Sequence, residues 1–377
     1  SALLDRLYFN RGGKFEKSAQ PMPSAGRYES TATVAAADFD GDGDMDLFTG
    51  TRVIPFEYGI PCNGYLLENN GKGLFTERTT SLAPGLKDSG MFTAAAWADL
   101  NKDGKPDLMV AGEWMPVRVF MNENGKLVER TKEFGLEGTE GWYQTITVSD
   151  VNGDGYPDII AGNHGLNSRF KASATEPVYL NINDFDRNGT IEQILVRYDE
   201  GKAYPLPLRA DMVSQMPMLK KRFLYFRKYA GKTMEELFPK ETLERSLVLT
   251  AREFRTGLWL NKAGSLFQPA PLPAEAQLFP VYAVTAEDFN QDGLTDLLLA
   301  GNLFRAKPET GIYAAGHGLL LEGDGTGKFA AVKNQVAGLR LRGETRGLQT
   351  VNIGGKRYLM AAINNDPISF HRINPAK

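Results

Sequence analysis

Asp38-Phe-Asp40-Gly-Asp42-Gly43-Asp44-Met-Asp46 decides how this chain is read, because it recurs. Asp99-Leu-Asn101-Lys-Asp103-Gly104-Lys105-Pro-Asp107 and Asp150-Val-Asn152-Gly-Asp154-Gly155-Tyr156-Pro-Asp158 repeat it. So do Asp184-Phe-Asp186-Arg-Asn188-Gly189-Thr190-Ile-Glu192 and Asp288-Phe-Asn290-Gln-Asp292-Gly293-Leu294-Thr-Asp296. Every copy has oxygen-bearing side chains at positions 1, 3, 5 and 9 and glycine at position 6. Four of the five precede a short apolar run ending in glycine, such as Asp158-Ile-Ile-Ala-Gly162. Three follow an alternating apolar stretch, such as Thr145-Ile-Thr-Val. That is strand, nine-residue turn, strand.

A second repeated element lies between these units. Leu66-Leu-Glu-Asn-Asn-Gly71-Lys-Gly73-Leu-Phe75 has counterparts at Val119-Phe-Met-Asn122, Leu258-Trp-Leu-Asn261 and Leu320-Leu-Glu, each followed by a glycine turn. These read as hairpins. Two hairpins per unit make a four-stranded antiparallel sheet, and several in series make a β-propeller. The expectation is one all-β propeller over residues 1–377, with seven blades and six as the alternative. The seventh unit would lie in Ser246–Phe254. Leu7-Tyr-Phe9-Asn10 copies an outer hairpin without inner strands before it, whereas Leu348–Ile353 and Arg357–Ile363 supply inner strands at the other end. Closure of the ring by both termini follows. One stretch, 210–245, breaks the β pattern with helical spacing at Leu219, Phe223, Phe226 and Ala230. It is expected to be a helical insertion within a blade, too short for its own core.

The nine-residue loops carry the chemistry. A hard divalent cation such as Ca²⁺ takes about 6–8 oxygen ligands at roughly 2.3–2.6 Å. Positions 1, 3 and 5 place alternate side chains around one centre, and glycine at position 6 allows the sharp turn. Position 7 offers its backbone carbonyl, from Asp44, Lys105, Tyr156, Thr190 or Leu294, and position 9 returns the last carboxylate. Two carboxylates about 4 Å apart repel by roughly 4 kcal/mol at an effective dielectric near 20. The first loop holds five, so the sequence predicts up to five bound Ca²⁺. The fourth loop is the weakest, because Asn188 and Glu192 alter charge and reach.

These loops resemble the calcium-binding FG-GAP (VCBS-type) repeats of the integrin α-chain propeller. The text between them, especially Gly90–Trp97 and Gly112–Pro116, resembles cartilage-acidic-protein-like and UnbV-type bacterial surface proteins. The resemblance implies an extracellular or cell-surface propeller, with calcium in a structural role. A chain that begins on half a blade also reads as part of something larger.

Composition narrows the function. Acids and bases nearly cancel (46 against 43), so no positive excess is available for nucleic acid. Cys62 is the lone cysteine, which excludes an intramolecular disulfide and a cysteine-built zinc site. No apolar run reaches the roughly 20 residues of a membrane span, and Ser1–Asp5 carries no export-signal pattern. Seventeen acids sit in the five loops; with five Ca²⁺ bound the chain becomes net positive. Lys220, Lys221, Arg222, Arg227, Lys228 and Lys232 make the insertion basic, which reads first as a solvated helix face, with a docking face for an anionic protein, glycan or lipid partner as the alternative.

Catalytic constellations are weak. Of the three histidines, His164 reads as a satisfied loop residue, with a cavity-facing role as the alternative. Trp97, Trp114, Trp142 and Trp259 read mainly as packing anchors. The expected function is therefore a non-catalytic binding, adhesion or assembly module at the cell surface. The alternative is a polysaccharide-active lyase or hydrolase, recognised by a pocket with exposed aromatics and a His, Arg, Lys or Tyr cluster.

Overall fold

The computed structural model describes residues 4–26 and 28–374. Ser1, Ala2 and Leu3 of the N-terminal reading lie outside the described residues.

Apolar runs separated by Asp/Asn-Gly turns fold into antiparallel sheets. Sheet I comprises Ser30–Ala37, Asp46–Val53, Gly64–Asn69 and Phe75–Glu77, paired in chain order. Sheet II comprises Met91–Ala98, Asp107–Met115, Arg118–Asn122 and Leu127–Glu129, with Gly141–Trp142 added beside the end of its second strand. Sheet IV comprises Val281–Glu287, Asp296–Gly301, Leu319–Gly323 and Phe329–Val332. Sheet V has three strands, Thr345–Ile353, Lys356–Ile363 and Ser369–Arg372.

Sheet III is split in sequence. Thr145–Ser149 pairs with Asp158–Gly162, which then pairs with Gly257–Asn261 and, through it, Phe267–Ala270. Between Gly162 and Gly257 the chain builds a separate sheet in the order Lys202–Pro205, Glu192–Asp199, Val178–Asn183, Leu247–Ala251. Five short helices between Arg209 and Glu244 cover it. The fourth nine-residue loop belongs to this inserted sheet. The irregular spacing of the loops (34 residues before Asp288's predecessor, then 104) therefore marks an insertion, not a short blade. Ser246–Phe254, the expected seventh unit, contributes an edge strand of the inserted sheet instead.

The first strands of sheets I, II, III, IV and V lie side by side in that order. Small residues populate them, as in Thr93-Ala-Ala-Ala96, where the sheets converge. The second strands of sheets II, III and IV are buried along their whole length, including all nine residues of Asp107–Met115. Apolar clusters fill each gap between sheets: Phe48, Phe92 and Phe120 between I and II, Tyr143, Ile159 and Trp259 between II and III, Val281, Leu299 and Leu258 between III and IV.

Close approach explains the glycine that ends these second strands. A Cβ on Gly162 would meet the Val281 carbonyl oxygen at 2.5 Å, and one on Gly301 would meet that of Pro280 at 1.8 Å.

The N-terminal hairpin, Tyr8–Arg11 with Lys14–Lys17, packs on the outer turn of sheet I. A Cβ on Gly73 would strike the Phe9 ring. The same relation holds between Gly327 of sheet IV and Leu260 of sheet III. Phe9 and Leu260 occupy equivalent repeat positions, each just before an asparagine that caps a glycine turn.

Candidate metal centres and a cavity

All five loops are held by one hydrogen-bond pattern. The position-1 carboxylate accepts the position-6 glycine N–H: Gly43 to Asp38 (3.0 Å), Gly104 to Asp99 (2.7 Å), Gly155 to Asp150 (2.7 Å), Gly189 to Asp184 (2.9 Å) and Gly293 to Asp288 (2.9 Å). Each of those glycines has φ between 83° and 95°, a conformation that favours glycine. Position 5 accepts the position-7 N–H: Asp44 to Asp42, Lys105 to Asp103, Tyr156 to Asp154, Thr190 to Asn188 and Leu294 to Asp292. These bonds draw the side chains at 1, 3 and 5 into one turn.

Position 9 does something the sequence did not reveal. One oxygen of Asp46, Asp107, Asp158 and Asp296 accepts the position-2 N–H, from Phe39, Leu100, Val151 and Phe289. The other accepts a third-strand N–H, from Asn69, Asn122, Asn261 and Gly323. All four acids are fully buried. Burial pushes Asp46, Asp107 and Asp158 up to about 6, although their backbone N–H bonds pull the other way. Position 9 thus stitches each loop to its sheet before any ion is considered.

The donor set suits a hard cation. Oxygens of Asp38, Asp40 and Asp42 converge within 4.8 Å, and so do those of Asp184, Asp186 and Glu192. Asp44 Oδ1 and Asp186 Oδ1 are shut from solvent without a hydrogen-bond partner. Where position 3 is asparagine, its amide nitrogen faces the position-5 carboxylate: Asn101 to Asp103 (3.3 Å), Asn152 to Asp154 (3.0 Å) and Asn290 to Asp292 (2.9 Å). In the fourth loop Asp186 makes no bond to position 5, and Asn188 N–H turns to Asp184 instead.

At the other end of the strands, five sheets meet. Arg52 of sheet I forks onto Glu113 of sheet II (2.9 and 3.0 Å), which also accepts from Tyr58 (2.9 Å) and from Gln144 before sheet III (3.1 Å). Arg346 of sheet V lies over the Tyr282 ring of sheet IV at 3.9 Å. Beside this cluster opens a cavity of about 390 Å³. Its lining includes the aromatic residues Trp114, Trp142, His164, Phe170 and Tyr313, and Leu180, Leu195 and Leu206 of the inserted sheet and its following turn. Trp142 makes edge contacts with Trp114 (5.1 Å), His164 (5.2 Å) and Phe170 (4.9 Å). Trp114 is held at φ 61°, a strained value for so large a residue, while its indole N–H donates to Tyr58 (3.0 Å). Burial pushes His164 down to about 4, so it is neutral at physiological pH.

The FG-GAP-like repeat family matches residues 4–49, 59–110 and 99–161, which include the first three loops. Residues 4–49 and 59–161 of the chain thus carry FG-GAP-like repeats. No curated protein matches the chain. Among solved structures, the V. cholerae biofilm matrix protein Bap1 aligns at 10% identity and TM-score 0.33, covering 96% of this chain and 71% of its own. BBS1N in complex with ARL6DN, soaked with lead, aligns at 9% identity and TM-score 0.30, covering 91% and 92%.

The twenty-five loop residues named from sequence lie in five separate loops. Of the two readings of His164, the cavity-facing one matches its place in this lining. His164 is buried among rings with Nε2 unpartnered, not a satisfied loop residue. Trp97, stacked on Phe39 at 6.4 Å, and Trp259 are packing anchors, whereas Trp114 and Trp142 line the cavity. The Gly162-Asn-His-Gly-Leu-Asn-Ser168 segment was the one sequence signal that pointed there.

Proposed function

We propose that the chain is a calcium-loaded β-propeller of FG-GAP repeats that works outside the cytoplasm as a binding, adhesion or assembly module. The carrying observation is the fivefold hydrogen-bond pattern, which gathers the side chains of positions 1, 3 and 5 into one turn and in the first and fourth loops brings three carboxylates within 4.8 Å, at an electrostatic cost. Calcium would be held by the side chains at positions 1, 3, 5 and 9 and the carbonyl at position 7, supplying the charge that lets these carboxylates stay close. Millimolar calcium outside cells supports the location, since loops of this kind in extracellular modules bind weakly. The neighbour order of the sheets supports five blades, with the fourth loop in an inserted sheet, over the seven expected from sequence. In this reading the N-terminal hairpin, a two-stranded sheet of its own packed on the outer turn of sheet I, joins the three-stranded sheet V to close the ring.

The partner in this reading is anionic and docks on the insertion. Arg222 donates to the carbonyls of Glu236 and Leu237, and Arg209 to those of Phe223 and Leu224, so both hold the helices together. Lys220, Lys221, Arg227 and Lys228 remain exposed. No helix among the described residues is long and apolar enough to cross a membrane. An array of acidic glycans and anionic lipids, probed at two salt concentrations, tests the surface. Binding that weakens with salt and disappears in Lys220→Glu/Lys221→Glu supports it; binding indifferent to both contradicts it.

The cavity bears on the polysaccharide-active alternative. Its carboxylate, Glu113, already accepts four hydrogen bonds from Arg52, Tyr58 and Gln144, and His164 is neutral and buried. The lining also brings Arg169, Lys307, Tyr58, Tyr282 and Tyr313 beside these groups, the kind of cluster that alternative calls for; with Glu113 and His164 both engaged among the described residues, we favour binding over catalysis.

A further inference from the structure

We propose that the cavity between the inserted sheet and sheets II–IV is a binding site for a small amphiphilic carboxylate, an apolar ring or chain bearing one carboxylate group. The inference concerns the end of the strands opposite the calcium loops and uses none of their residues, so it stands or falls apart from the calcium reading.

Size and walls set the body of the ligand. About 390 Å³ lies in the range of small-molecule pockets. Trp142, Phe170, Leu180, Leu195 and Leu206 all line the cavity, so an apolar body meets mainly carbon. A sugar fits poorly, because most of its hydroxyls would lose water against carbon and find no partner.

The polar groups set the head. Three charged side chains line the cavity. Glu113 is neutralised by Arg52, and Lys307 is paired with Asp211. Arg169 is the third, and no carboxylate pairs with it among the described residues. Its charge acts on the Tyr313 hydroxyl, which lies beside Thr310 without hydrogen-bonding geometry. The indole N–H of Trp142 and Nε2 of His164 also lack partners, and His164 is 8% exposed. Arg169, an unbalanced cation at an apolar hole, calls for a single anionic acceptor, while the unpartnered Trp142, His164 and Tyr313 atoms lie behind the accessible lining and keep it apolar. The strained Trp114 and the Arg52–Glu113–Tyr58 network hold the wall rigid, which lowers the entropy lost on binding. The Lys307–Asp211 pair joins the loop between the second and third strands of sheet IV to the first inserted helix.

The test titrates the full chain, in calcium, with phenylbutyrate and octanoate, with the matching alcohols phenylbutanol and octanol, and with glucuronate. Tryptophan fluorescence and the melting temperature are the readouts. Saturable binding of a carboxylate is expected, with the matching alcohol weaker by about tenfold, the equivalent of about 1.4 kcal/mol. Arg169→Met should erase that preference while leaving the alcohol's affinity unchanged. Ala306→Trp, which fills the cavity from the loop, should abolish binding with the fold intact by circular dichroism. If Arg169→Met fails to fold, the carboxylate-to-alcohol ratio in the wild type and the Ala306→Trp variant decide. Three results overturn the proposal: no saturable carboxylate binding to the folded wild type, equal affinity for acid and alcohol, or tighter binding of glucuronate. Repeating the titration in EDTA separates the two readings. Carboxylate binding that survives chelation leaves the cavity site standing even if no metal is found in the loops.

Discussion

Asp158 accepts backbone N–H bonds from Val151 (2.9 Å) and Asn261 (2.7 Å) and is fully buried. Asp150, at the start of the same loop, accepts from Gly153 and Gly155 in an exposed turn. The two acids therefore differ in what their loss costs. Asp158→Ala strands two buried donors, at roughly 1–3 kcal/mol each, with or without calcium. Asp150→Ala frees N–H groups that water can satisfy, so most of its cost should be the lost ion and should vanish in EDTA. Urea melts of both variants in calcium and in EDTA check this difference. His164 gives a second residue-scale test. Its neighbours are Trp142, Phe170, Phe254 and Tyr313, with the Arg169 charge beyond Tyr313, and burial lowers its folded value to about 4 from an ordinary 6.5. A histidine kept neutral by the fold contributes full stability above pH 6.5 and loses it as pH falls toward 4. Between those limits the wild type should lose at most about 3 kcal/mol relative to His164→Phe. Parallel stability profiles of the two proteins against pH measure it; identical slopes would place His164 in water.

At the scale of elements, the loops were legible because their signal is local: nine residues fix their own spacing, and alternate side chains must face one centre. The outer hairpins were legible for the same reason. Sheet III was not, since Asp158–Gly162 finds its next partner at Gly257–Asn261, across the whole inserted sheet. Nothing local in either strand marks that pairing. The cavity was illegible for a related reason, being assembled from segments near residues 58, 113, 142, 164, 195 and 313 that only the fold brings together. Glycine at the end of the second strands was visible as a pattern, but its cause was not. A Cβ on Gly162 meets Val281 backbone at 2.5 Å and Thr145 Cγ2 at 2.6 Å. Gly162→Ala should therefore push sheets III and IV apart and cost about 1–3 kcal/mol, the usual range for overpacking. Gly125→Ala, in an open turn at φ 78°, has no such clash and serves as the control for left-handed strain alone. Chemical denaturation of both variants separates the two effects.

Across the whole molecule, five sheets stand in series with their first strands adjacent, and the terminal segments carry complementary pieces. The Phe9–Gly73 contact repeats the Leu260–Gly327 contact between internal sheets, and Gln20 clasps Phe75 through both its amide atoms. Removing the hairpin with its leading residues, through Lys17, should expose the edge of sheet V and the outer face of sheet I, lowering the melting temperature and promoting association. Size-exclusion chromatography and a thermal melt of the truncated chain check this; a monomer with an unchanged melt would mean the hairpin is dispensable. In the proposed calcium-loaded state, stability would rest largely on the metal. At roughly 2 mM calcium and a site Kd near 10⁻⁴ M, each loop would contribute about 1.8 kcal/mol. Five independent loops approach 9 kcal/mol, comparable with the whole net stability of a domain at roughly 5–15 kcal/mol. The direct measurement is a calorimetric melt after exhaustive dialysis against EDTA, repeated with calcium and with magnesium restored, alongside elemental analysis of the purified chain. The expected result is bound calcium, a melting temperature lower by the order of 10 °C in EDTA, full recovery with calcium and poor recovery with magnesium, which demands tight octahedral geometry. A melt that EDTA leaves unchanged, in a chain that carries no metal, would contradict it.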